Sequence, residues 1–174
     1  YSNRGVAYFN IAPMKDTMAN KYYQMAIEDF LKALQIKSDN TDALLGIANT
    51  YSQIGQFEKA IPYYDKYIEI EKEHDKTEAI MWRGTAYNRT GKYDKAINDF
   101  MSILKKDPNN DETYFRIGVV YFDMKKYNEA YEYLTKSITL KDNNNLQAQK
   151  YSYRGFTNYY LNKKPEAAED LKHA

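Results

Sequence analysis

The sequence predicts an all-α fold, a stack of about five antiparallel helix pairs. Three observations predict it. Alanine recurs at 26, 60, 96, 130 and 167, with steps of 34, 36, 34 and 37 residues. Four of these alanines share a closely similar string, as in Tyr93-Asp-Lys-Ala96-Ile-Asn-Asp-Phe100 and Tyr127-Asn-Glu-Ala130-Tyr-Glu-Tyr-Leu134. Within each period apolar residues recur at helical spacing, and in the third Thr90-Gly91 and Asp107-Pro108 stand where helices give way. Such two-helix units cannot bury their apolar faces alone, so neighbours must stack.

The chain is read as one repeat domain over 1–174, with units near 1–40, 41–76, 77–110, 111–147 and 148–174. In the first, Gly5 and Tyr8 mark the first helix, but Ala26 arrives late because of an insert at 10–20. Pro13 is expected to end that helix, and Asp16 or Thr17 to cap a lengthened second one. The second unit carries Leu44, Ala48, Tyr51, Ala60 and Tyr64. Pro62 falls inside its second helix and is expected to kink it or remove one backbone hydrogen bond. In the third, Ile80, Gly84 and Tyr87 share a helix face, Thr90-Gly91 breaks the pattern, and Tyr93, Ala96, Ile97, Phe100, Ile103 and Leu104 resume it. Asp107-Pro108 stops the second helix, since the residue before proline is pushed out of the α region. Small residues at Gly84 and Ala96 let the two backbones approach, and large ones fill the space around that contact. The fourth unit repeats this with Tyr114, Gly118, Tyr121, Ala130 and Leu134. The fifth has Gly155, then Asn158 in place of tyrosine, Pro165 in a first turn where it is tolerated, and an end at Ala174 inside its second helix. Residues around Glu73-His74 and Asn143-Asn145 are extra, and read as longer turns.

Composition narrows the function. Lys plus Arg number 25 against 24 Asp plus Glu, a net charge of +1. That balance lacks the broad basic field of a nucleic-acid binder. Mean hydropathy is −0.82, and no apolar run approaches the ~18 residues of a membrane span. Tyr1-Ser-Asn-Arg4 is neither a start methionine nor a signal peptide, which reads as a piece of a longer chain. With no cysteine, disulfides, thiol catalysis and thiolate metal sites drop out. A cytoplasmic and a periplasmic home suit that equally. His74 and His173 lie far apart with no metal-ligand or triad spacing. The acid pairs Glu28-Asp29 and Glu169-Asp170 are placed on outward helix faces. No catalytic residue, metal site or cofactor is therefore assigned.

These residues resemble the tetratricopeptide repeat family over nearly the whole chain. The family's spacing is a bulky residue, a small one, tyrosine, then alanine, an aromatic and a closing proline. The third unit meets it with Ile80, Gly84, Tyr87, Ala96, Phe100 and Pro108. The resemblance implies a right-handed α-solenoid whose first helices line a concave side that binds a protein or peptide. The inward positions are then Ser2, Val6, Phe9 and Asn10; Asp42, Leu45, Asn49 and Gln53; Glu78, Met81, Thr85, Asn88 and Arg89. The later units add Glu112, Phe115, Val119, Phe122 and Asp123, then Gln149, Ser152, Phe156 and Tyr159. Phe115, Val119, Phe122, Phe156 and Tyr159 would hold an apolar partner segment, with Asn49, Asn88 and Arg89 fixing its backbone and Met81 beside them. Alternatively, a further helix packs on those rings.

A known use of the family is a clamp for the free carboxylate of chaperone tails. The best frame here offers Leu45 and Asn49, then Trp82, then Glu112 and Arg116. Only Asn49 and Arg116 fit, and Glu112 repels a carboxylate, so the clamp is rejected. Arg4-Gly5, Arg83-Gly84 and Arg154-Gly155 put arginine where the family usually has leucine. Their stems are expected to pack between repeats with the heads on water or a carboxylate; a phosphate-binding row is the alternative. Trp82 is read equally as ligand anchor or packing residue. Most of the 19 tyrosines fall at helix-packing positions rather than on a base-stacking platform.

The sequence thus points to an interaction scaffold or adaptor. The alternatives are a regulatory or substrate-recruiting module of a larger catalytic or envelope-assembly protein, and a self-associating repeat. Arginine at Ala96 is expected to lower the urea unfolding midpoint far more than arginine at Asn98, because only the first position faces a helix partner.

Overall fold

The stops read at Thr90-Gly91 and Asp107-Pro108 coincide with helix ends. The computed structural model describes residues 1–11, 18–140 and 146–174. Among the described residues there are ten helices and no strand. They fall into two compact units, Tyr1–Gly91 and Lys92–Ala174. The first holds α1 (Ser2–Ile11), α2 (Ala19–Ile36), α3 (Thr41–Gln53), α4 (Phe57–Ile70) and α5 (Thr77–Arg89). The second holds α6 (Tyr93–Lys106), α7 (Asp111–Asp123), α8 (Tyr127–Thr139), α9 (Gln147–Tyr160) and α10 (Lys164–Asp170). The expectations placed on Pro13, Asp16, Thr17 and Asn143–Asn145 lie outside the described residues. The N-cap position of α2 is Met18, whose side chain makes no capping bond.

In the first unit α1 packs on α2, α2 on α3, and α3 on α4. Ala26 and Ala60, two of the periodic alanines, are fully buried. Around them lie Phe30, Ala33, Ala43 and Ile47 in one cluster and Leu44, Ala48, Tyr64, Tyr67 and Ala79 in another. Phe30 decides how closely α1 and α3 approach. A Cβ on Gly5 would lie 2.8 Å from its ring, and one on Gly46 only 2.4 Å. The ring therefore fills the space that two missing side chains leave. Gly46 was not singled out in the sequence, because it lies two residues before the periodic small position, Ala48.

The same contact recurs in the second unit. A Cβ on Gly118 would meet Leu134 at 2.7 Å, and one on Gly155 would meet Leu171 at 2.9 Å. In each case the large residue stands four places after a periodic alanine: Phe30 after Ala26, Leu134 after Ala130, Leu171 after Ala167. The period thus fixes a knob on one helix and its socket on another.

Turns follow local chemistry. Asn40 accepts the Ala43 N–H at 3.0 Å to open α3, and Asn110 accepts the Thr113 N–H at 2.9 Å to open α7. Gly55 and Gly91 end α3 and α5 with φ of 74° and 72°. The corresponding positions in the second unit are Lys125 and Asn162, with φ of 60° and 61°. A lysine in the left-handed region carries a steric cost that glycine avoids. The expected long turn at Glu73-His74 separates α4 from α5. Glu71 pins it, accepting the Glu73 N–H at 2.8 Å and the His74 N–H at 3.2 Å. Those bonds, the Glu73 N–H foremost, pull its carboxyl down to about 2.

Of two local expectations, the one for Pro62 holds in its milder form, the loss of a single backbone hydrogen bond, and the other needs correction. Pro62 lies within α4, but the helix continues from Phe57 to Ile70. Only one N–H is forfeited, and its ring faces outward, which is why the helix survives. The second helix of the last repeat does not run to Ala174. It closes at Asp170, where the Leu171 N–H turns back to the Ala167 carbonyl and the His173 N–H to that of Asp170.

Gly46→Ala tests the Phe30 contact. Alanine gains up to ~1 kcal/mol in helix propensity, whereas overpacking a core costs about 1–3 kcal/mol. Because the ring is held from both sides, urea denaturation should show net destabilisation, and adding Phe30→Leu should restore much of the loss.

Candidate partner-binding faces

In the first unit α1 and α3 border a recess of about 310 Å³. Ser2, Val6, Phe9 and Asn10 line it from α1, and Asp42, Leu45 and Asn49 from α3. These seven are among the positions that the resemblance implied would face inward; Gln53, the eighth, does not line the recess. Phe30 also lines it, reached past Gly46 where no Cβ intervenes.

Asn49 is held in place. The Tyr64 hydroxyl donates to its Oδ1 at 2.8 Å, and Ser52 Oγ lies 3.2 Å from the same hydroxyl. Burial pushes the Tyr64 phenol up to about 12, so it stays a donor. With Oδ1 committed, the amide nitrogen is the atom Asn49 can offer to a carbonyl. On α5, Met81 and Asn88 are buried, and Arg89 is exposed. Trp82 packs part-buried against the α3–α4 cluster and donates to Glu78 at 3.4 Å.

The second unit gathers the aromatic residues differently from the expectation of one open row. Phe115 is only 3% exposed, its ring meeting the Tyr153 ring edge-on at 5.6 Å. Phe122 is half-buried among Tyr127, Tyr153 and Tyr160 at 5.5–5.9 Å. Val119 packs against the same cluster. Phe156 and Tyr159, by contrast, are 50% and 61% exposed. Tyr160 joins them, stacked on Tyr127 at 4.6 Å and 6°. Sequence reasoning missed Tyr160, although its spacing of four from Phe156 puts both on one helix face. Phe115 and Phe122 are thus the base of this face, and Phe156, Tyr159 and Tyr160 its surface.

The three arginines before glycine find carboxylates. Arg4 donates to Asp29 at 2.5 and 2.7 Å, Arg83 to Asp65 at 2.8 Å, and Arg154 to Asp170 at 2.5 and 2.9 Å. Asp29 and Asp170 are therefore not on outward faces, as the sequence suggested. Both are buried, because the position three after the periodic alanine faces the arginine helix. The guanidinium of Arg4 holds the Asp29 carboxyl below the usual carboxylate range. Hydrogen bonding to Asp170 likewise raises Arg154. Asn158, at the position expected for tyrosine, donates to Asp170 at 2.9 Å. The pattern alternates along the sequence. Repeats one, three and five carry Arg4, Arg83 and Arg154 with Asp29, Asp99 and Asp170; repeats two and four carry Ile47 and Ile117 with Tyr63 and Tyr133.

Lys150 is the residue that sequence reasoning overlooked most completely. It is fully buried on α9, ion-paired with Asp111 at the start of α7, and 3.5 Å from the Ser137 carbonyl. Ala43, Ala79 and Thr113 occupy its place in earlier repeats. Only aligning the repeats shows a lysine in a slot for small residues. The rejected carboxylate clamp has a physical counterpart: Arg116 is bonded to Glu112 at 2.8 Å.

Among the described residues, no group of three or more His, Asp or Glu is arranged to hold a metal ion. No helix there is long and apolar enough to cross a membrane. His74 lies 3.4 Å from Glu71, and the His173 ring lies 5.1 Å from that of Tyr151.

Comparison with known proteins agrees with the helix pairing. The family described as anaphase-promoting complex, cyclosome, subunit 3 matches residues 53–137. No curated protein matches the chain. Among solved structures, a MamA crystal structure is 23% identical over 94% of this chain and 91% of its own, with a TM-score of 0.73. MamA from Desulfovibrio magneticus RS-1, residues 41 to the end, is 16% identical over 97% and 92%, with a TM-score of 0.74. YrrB, described as a TPR protein with an unusual peptide-binding site, is 19% identical over 95% and 82%, with a TM-score of 0.65. The chain has the tetratricopeptide-repeat fold. At these identities the likeness to MamA and YrrB carries the repeat fold alone. Within that fold Arg4, Arg154 and Lys150 form ion pairs at places that other repeats of this chain fill with Ile47 and Ile117 or with Ala43, Ala79 and Thr113.

The Lys150–Asp111 pair gives a test. Asp111→Asn leaves an ammonium buried without its counter-charge, a loss of about 3–5 kcal/mol. Calorimetric melting should show that loss, and the double variant Asp111→Asn with Lys150→Met should recover a large part of it.

Proposed function

We propose that this tetratricopeptide-repeat chain is a protein-interaction scaffold that holds a segment of another protein against its first-helix faces. The observation that carries this reading is the recess between α1 and α3, with Asn49 pinned beside it as an outward donor. An asparagine whose oxygen is already engaged loses little entropy when its nitrogen meets a peptide carbonyl. The apolar walls offer burial, and the polar rim offers direction.

The second unit adds an aromatic surface of Phe156, Tyr159 and Tyr160, supported from below by Phe115, Val119 and Phe122. Exposed rings on a rigid base are suited to anchoring a partner, since aromatic contacts dominate many interfaces. In this reading Asn49, Arg89, Phe156 and Tyr159 touch the partner directly. Met81, Asn88, Phe115, Val119 and Phe122 shape the helices that present them. The same rings could be met by a second copy of the chain, the self-associating alternative.

Selection of a short-peptide library on the intact chain, followed by fluorescence anisotropy, tests the reading. Asn49→Ala should weaken the selected peptide by about tenfold, equivalent to ~1.4 kcal/mol, without changing the melting temperature by more than a surface substitution does. Phe156→Ser combined with Tyr159→Ser should abolish binding of any peptide selected against the second unit. Unchanged affinity in both variants overturns the reading, and sedimentation at several concentrations shows whether those rings instead join copies of the chain.

A further inference from the structure

Resting on the scaffold reading, we propose that the recess between α1 and α3 takes a lysine or arginine side chain of the bound segment. Its volume of about 310 Å³ is at the lower end of ligand pockets, which run from ~300 Å³ upward. That is room for one large side chain.

The walls suit a long aliphatic stem. Val6, Phe9 and Leu45 line the recess, with Phe30 behind them where Gly46 lacks a Cβ. The charge at the surface is one-sided. Among the described residues Asp42 is the only ionisable one lining the recess, and there it is exposed with no ion-pair partner. It is not needed to cap α3, because Asn40 already accepts the Ala43 N–H there. The arginine on α1, Arg4, does not line the recess and is bonded to Asp29 through two nitrogens.

These facts discriminate among ligands. An acidic side chain would meet Asp42 without a compensating cation. A purely apolar side chain would fill the walls but draw water from the Asp42 carboxylate with nothing in exchange. A basic side chain lays its methylenes along the apolar wall and brings its charged head to the carboxylate. Asn49 then holds the neighbouring backbone carbonyl, so one residue of the partner is gripped by both its main chain and its side chain.

Short peptides with blocked ends, randomised at every position, are the probe. They are selected on the intact chain, on Asp42→Asn and on Asp42→Lys, each checked for an unchanged melting curve. The native chain should enrich lysine or arginine at one position, Asp42→Asn should lose that enrichment, and Asp42→Lys should favour glutamate or aspartate instead. Replacing the enriched residue by methionine should weaken binding to the native chain by about tenfold and leave binding to Asp42→Asn nearly unchanged. Asp42→Glu should keep the basic preference. Peptides that bind equally well to all variants, with no basic position, overturn this inference while leaving the scaffold reading intact. Failure to enrich any peptide over a bare surface overturns both.

Discussion

One contact organises each unit: a large side chain on a second helix seated where a first helix has no side chain. Phe30 sits against Gly5 and Gly46, Leu134 against Gly118, and Leu171 against Gly155. Tyr64 shares its buried cluster with Ala48 in the same way. Such contacts bring backbones close enough for side chains on either side to interlock, and they admit no added methyl group without displacement. Burying a residue of this size is worth roughly 1.5–3 kcal/mol before conformational entropy is counted. Repeating the contact gives a nearest-neighbour architecture in which each pair is stable only through the next.

Around those contacts the chain places ion pairs whose carboxylates are buried. Arg4 with Asp29 and Arg154 with Asp170 join helices through two-nitrogen hydrogen bonds to a buried carboxylate. Such pairs demand a fixed geometry, whereas an Ile–Tyr contact, as the sequence places at Ile47 with Tyr63, tolerates sliding. Lys150 with Asp111 extends this inside the second unit, where α7, α8 and α9 meet. A buried pair adds little net stability compared with an apolar substitute, but penalises any arrangement that separates its members. In a chain of near-identical repeats, the physical consequence is register: a helix paired with the wrong neighbour would leave a charge buried alone.

The open first-helix faces are by-products of this packing. Because the second helices supply the knobs, the first helices are free to turn one face away from the core. In the first unit that face is a recess with a polar rim, and Tyr64 reaches from the core to fix Asn49 beside it. In the second unit it is a ring surface whose lower layer is itself core. Phe115 and Phe122 below therefore serve stability and leave Phe156, Tyr159 and Tyr160 exposed above them.

How much of this could be read in advance divides along a physical line. The alanine period and the helix stops at Gly91 and Asp107-Pro108 follow from spacing, since a helix repeats every few residues whatever surrounds it. The inward positions of α1 and α3 came from the family resemblance, and seven of them line one recess. Accessibility did not. Met81, Asn88 and Phe115 share the register of exposed residues and are nonetheless buried, and Asp29 and Asp170 look like ordinary surface acids until their arginines are placed. Lys150 is charged and fully enclosed. Spacing along one helix reveals which way a side chain leaves it; whether solvent or another side chain waits there depends on residues remote in the chain. The amino-acid order alone settled the helices, their period and their faces, while tertiary packing decided which of those faces remain open and which charges are paired.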